Sequence, residues 1–118
     1  MNPEFEVKFY DHPNGSFPAY DFIETQPPKM NAKIYRTIDL LEEKGPMLRM
    51  PYSKRLKDGI FELRVDVGSD STRVLYFFIE GKKIILTHGF VKETRKTPQE
   101  QINCAEKYRK DYLARHSK

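Results

Sequence analysis

Cations and one histidine interrupt the most apolar part of the chain. Arg64 and Arg73 stand inside or at the start of β-branched and aromatic runs, and His88 precedes a glycine near the end of a third run. Lys92, Arg95 and Lys96 follow, and Lys54 and Lys57 come just before. Guanidinium groups grip phosphate oxygens in bidentate fashion, and lysines add point charges along a backbone. An imidazole moves a proton near neutral pH. Together such groups suffice for RNA cleavage without a metal. The ribose 2'-OH attacks the adjacent phosphate, the cations stabilise the pentacoordinate charge, and a positioned acid protonates the leaving oxygen. The candidate catalytic residues are Arg73, Arg64 and His88; the candidate RNA-binding residues are Lys54, Lys57, Lys92, Arg95 and Lys96.

Each of these residues also has a plainer reading. An arginine on the polar face of a strand is commonly solvated or paired, and Glu62, Asp66 and Asp70 are available partners. His88 could be a hydrogen-bonded structural histidine, and 92–96 a solvated loop. Other chemistries lack their signatures. There is no Gly-rich phosphate loop and no nucleophile elbow. His12, His88 and His116 are far apart, and the single cysteine, Cys104, has no partner for a disulfide or a metal. No cofactor is expected.

The elements that must position these groups follow from periodicity. Residues 4–10 alternate, with Phe5, Val7 and Phe9 on one face, which predicts a half-buried strand. Ser16 is the expected cap of a short helix over 16–25, ended by Gln26-Pro27-Pro28. A second helix is predicted over 28–44, with Ile34, Ile38 and Leu41 on one stripe and Gly45-Pro46 as its stop. Residues 47–57 read as a connector. Strands over 60–67, 73–79 and 83–91 then form an antiparallel meander, separated by Gly68-Ser69-Asp70-Ser71 and Glu80-Gly81-Lys82. Tyr76-Phe77-Phe78 belongs to the core. Thr97, Pro98 and Glu100 signal a capped last helix over 98–115, with Ile102, Ala105, Tyr108 and Tyr112 on its apolar stripe. The expected fold class is α+β, in the order β-α-α-β-β-β-α, an antiparallel sheet with helices packed on one face.

The 118 residues suit one domain, 1–118, with one modest core. Hydrophobic residues make up 38% and charged residues 32%, and no apolar stretch approaches the roughly 18 residues of a membrane span. The N-terminal residues have no apolar secretory h-region, so the expected location is cytoplasmic and no membrane partner is expected. The net charge of +4 is compatible with a polyanionic partner.

The order of these elements and three short motifs, LKDGIFELR, RVLYFF and LTHGFVKETRKTP, resemble the RelE/ParE toxin superfamily, in its HigB-like, phage-derived branch. The resemblance runs from about Phe5 into the last helix. It implies a toxin of a type II toxin–antitoxin pair, an mRNA interferase that acts as a ribosome-dependent, metal-independent endoribonuclease and inhibits translation. The implied partners are a cognate helix-turn-helix antitoxin (HigA-like), the ribosome and mRNA, with operator DNA reached only through the antitoxin. By position, Arg64 falls on the basic strand site after the connector and Arg73 on the arginine that supports the transition state. His88 and 92–96 fall at the strand end that supplies the remaining groups. Some members carry a lysine two residues before the first strand arginine; this chain has Glu62 there, which leaves the general base unassigned. Two other readings follow from the same resemblance: a ParE-like protein that inhibits DNA gyrase by binding, and a degenerate partner-binding regulator.

Overall fold

The computed structural model describes residues 4–116. The elements are β1 (Glu6–Phe9), α1 (Pro18–Glu24), α2 (Pro28–Lys44), a 3₁₀ turn (Gly45–Met47), β2 (Ser53–Lys57), β3 (Ile60–Val67), β4 (Asp70–Ile79), β5 (Lys83–Val91) and α3 (Gln99–His116). The α+β class and the order of helices and long strands are as the sequence predicts. The sheet has five strands in the order β1-β5-β4-β3-β2.

The strands divide their side chains by the period of two. Leu63, Val65, Val74, Tyr76, Ile84 and Leu86 are buried against Ile23 of α1 and Met30, Ile34, Ile38 and Leu41 of α2. Their alternates Ile60, Leu75, Phe77 and Ile85 are buried with Ala105 and Tyr112 of α3. Two apolar cores therefore sandwich the sheet. Gly89 lets α1 approach β5 closely, since a Cβ there would run into the Phe22 ring.

Four expectations are corrected. The sheet is mixed rather than antiparallel, because β1 pairs parallel with β5, Val7 opposite Ile84. The helices are not all on one face: α3 lies opposite α1 and α2, since Leu75 and Phe77 offer it an apolar surface as complete as that of Val74 and Tyr76. The 47–57 connector contains a strand, β2, which pairs antiparallel with β3, Ser53 opposite Leu63. Its sequence, SKRLK, has one apolar residue because it is an edge strand and carries cations instead. Finally, neither expected hydroxyl cap forms. Ser16 donates to Asn14 Oδ1 at 2.7 Å and α1 starts at Pro18. The Thr97 hydroxyl donates to Glu62 and α3 starts at Gln99.

Candidate active site

Arg64 and Arg73 are directly opposite each other in the β3–β4 ladder, on the face that α3 covers. Like charges so placed repel. Glu62, two residues before Arg64 on the same face, answers both. Its Oε2 accepts from Arg64 Nη1 at 2.7 Å and lies 3.8 Å from Arg73 Nε. Its Oε1 accepts the Thr97 hydroxyl. Glu62 is 1% exposed. A carboxylate this buried persists because cations and a hydroxyl replace its water.

Around Glu62 opens a cleft of about 290 Å³. Lys54 and Arg55 of β2, Arg64 of β3, and Lys92, Arg95 and Lys96 of the β5–α3 connector line it, with Thr97, Gln99 and Ile102 closing the α3 side. Six cations thus surround one acid. Arg55 also pairs with Asp58. The Lys92 ammonium donates to the Arg95 carbonyl at 2.6 Å. Burial, and next the like charge of Arg73, hold the Lys92 ammonium below its usual range.

Five of the expected residues, Arg64, Lys54, Lys92, Arg95 and Lys96, meet in this cleft. Three do not. Arg73 is 3% exposed and sits behind Glu62. It is the fourth residue of the central strand β4, not a strand-end surface group. Its Nη1 donates to the Thr72 carbonyl at 2.8 Å and to Asp66 at 3.2 Å, while its buried Nε has no hydrogen-bond partner among the described residues. Lys57 is turned to Glu106 of α3 in an ion pair of 2.7 Å. His88 stands opposite Leu75, two strands from Glu62, and is sealed beneath α3. Its Nε2 is 2.8 Å from Gln101 Oε1 and its Nδ1 3.1 Å from the Thr87 hydroxyl. Burial pushes the imidazole below its usual pKa, and the Gln101 contact offsets this only in part. His88 therefore stays neutral at pH 7 and fixes α3 to the sheet.

Glu62, Arg55, Thr97 and Gln99 were not among the expected site residues. The alternation of β3 held a signal for Glu62, because it places Glu62 and Arg64 on one face. The folding of the connector onto β2 had no local signal. Among the described residues, no three His, Cys, Asp or Glu side chains gather as a metal-ligand set. No described helix is long and apolar enough to cross a membrane.

The family model of phage-derived Gp49-like proteins (DUF891) matches residues 21–110. The chain belongs to this family. The match spans α2, the four strands β2 to β5 and most of α3, so it includes every cleft residue. Among solved structures, the chain resembles one from the archaeal RelE–RelB complex of Pyrococcus horikoshii OT3, with a TM-score of 0.51 and 17% identity. That alignment covers 75% of this chain and 94% of the other. It shows a shared RelE-like fold. The comparison with curated proteins gives no match.

Proposed function

We propose that this Gp49-like protein is the toxin of a type II toxin–antitoxin pair, of the HigB-like branch, and that it cuts mRNA on the ribosome without a metal. The observation that carries the reading is the cleft itself: six cations around one carboxylate, a charge pattern suited to a phosphodiester. The Gp49-like family and the RelE-like fold support it.

In this reading Arg64 binds the scissile phosphate, and Lys54, Arg95 and Lys96 hold the flanking phosphates. Glu62 is the cleft's one proton acceptor. When Arg64 turns from Glu62 Oε2 to the phosphate it uncovers that oxygen, which takes the proton of the ribose 2'-OH as the hydroxyl oxygen attacks phosphorus. Lys92, with its lowered pKa, gives a proton to the departing 5'-oxygen. The O–P bond to the 5'-oxygen breaks, leaving a 2',3'-cyclic phosphate upstream and a 5'-hydroxyl downstream. Arg73 is a positioning residue, holding Glu62 from behind. His88 and Lys57 position α3 and β2, which carry the cleft walls. The partners are the ribosome, mRNA and a cognate helix-turn-helix antitoxin of the HigA type, in the cytoplasm.

The test is to add the purified protein to translating ribosomes, map mRNA 5' ends and analyse the upstream fragments. Codon-spaced cuts with cyclic or 3'-phosphate ends are expected. Intact mRNA with stalled gyrase would replace this reading with the ParE-like one.

A further inference from the structure

A second built surface lies on the other side of the sheet, where α2 meets the β3–β4 hairpin. Two clefts of about 640 and 570 Å³ adjoin there, sharing Pro28, Lys29 and Val67 as lining. Pro27, Met30, Val67 and Val91 give one of them an apolar floor. Val91 is half exposed although it ends a central-sheet strand. Lys29, Lys33 and Arg36 form the rim, spaced along α2 by four and three residues and so on one helical face.

The charges on that rim are open. Among the described residues, no acidic side chain forms an ion pair with Lys29, Lys33 or Arg36. Lys33 donates to the Asp66 backbone carbonyl, and the Asp66 carboxylate is taken by Arg73. Asp70 lines the apolar cleft and is the one other acid there.

We propose that this trench binds an acidic amphipathic segment of a partner protein, its apolar face on Met30, Val67 and Val91 and its carboxylates against Lys29, Lys33 and Arg36. The apolar floor favours a peptide over RNA: no aromatic ring lines either cleft, so unstacked bases find no platform. An amphipathic segment laid in a groove gains both burial and charge complementarity. Glu62 and Arg64 point to the α3 face, so a segment seated here leaves the cationic cleft uncovered. The proposal does not depend on the nuclease reading.

The test follows amide resonances of the isotopically labelled protein during titration with a short synthetic helical peptide, Leu on one face and Glu on the other. Saturable shifts at Lys29, Met30, Val67 and Val91 are expected. They should weaken at least about tenfold in a Lys29→Glu, Arg36→Glu double variant, whose exposed positions leave the core untouched. Two control peptides, one with Ser for Leu and one with Lys for Glu, should fail to saturate. No saturable shift with the acidic peptide overturns the proposal. So does equal binding of the Ser control, which would mark a diffuse charge effect. Stronger perturbation of the same amides by oligouridylate would make the trench an RNA surface instead. None of these outcomes bears on whether mRNA is cut.

Discussion

Arg64 and Arg73 face each other across two neighbouring strands, and the carboxylate of Glu62 stands between their guanidinium groups. Each of the three therefore depends on the other two, in different ways. Arg64 is partly exposed and can turn toward a ligand, whereas Arg73 is buried and cannot.

Arg73→Ala should destabilise the fold rather than merely silence it. Glu62 keeps Arg64 at 2.7 Å, so the cost comes from the lost second cation and from the space left beneath α3, about 1–3 kcal/mol. A urea denaturation midpoint close to that of the parent would show that Arg73 contributes little to holding Glu62.

Glu62→Gln should lose cleavage by about two to four orders of magnitude, the usual contribution of a positioned proton acceptor. The amide keeps an acceptor for the Thr97 hydroxyl, so the connector should hold its place. Single-turnover rates on programmed ribosomes, at a temperature where circular dichroism shows the variant folded, provide the check. A rate within a few-fold of the parent assigns the base elsewhere.

Lys92 should set the alkaline limb of the pH–rate profile. A general acid must carry its proton, so the rate falls as pH rises through its pKa, and that pKa lies below the usual 10.5. Lys92→Arg holds its proton throughout and should abolish this limb while slowing the reaction. A limb unchanged in Lys92→Arg would remove Lys92 from the acid role.

His88 should show itself in stability. Its folded pKa is depressed from 6.5, so above pH 6.5 the ring is neutral in both states and its contribution is intact. As pH falls below 6.5 the unfolded chain takes up the proton first, and stability declines until the folded pKa is reached. His88→Gln should flatten that slope. Chemical denaturation of both proteins across pH 5 to 7, read as the difference of their slopes (roughly one proton at most), measures it.

The sequence carried the long elements because their signals are local. Ile34, Ile38 and Leu41 repeat at helical spacing, and the 60–67 run alternates strictly enough to put Glu62 and Arg64 on one face. What it could not carry was which groups share a space. Arg73 reads as a surface cation beside Asp66 and Asp70, yet the central place of β4 and the cover of α3 bury it. His88 reads equally as a proton-transfer group or as a structural histidine, because the position of Gln101, thirteen residues on, has no mark in a strand pattern. β2 escaped because an edge strand built from lysine and arginine looks like a solvated link. Thr97 fits a helix cap, and only the fold reveals that a buried carboxylate outcompetes the helix for its hydroxyl.

The order of the strands sets a sequence of events during synthesis. β1 is made early, but β5 is its one neighbour in the sheet, so β1 waits for residues 83–91 before its ladder can form. Such distant pairing is slow to close. The cleft is later still: Lys54 and Glu62 emerge well before Lys92, Lys96 and Thr97 reach them. A nascent chain therefore carries its cations without the wall that gathers them. If the assembled cleft cuts messages at the ribosome, the ribosome translating this protein is spared until residues 92–102 have been made and have emerged.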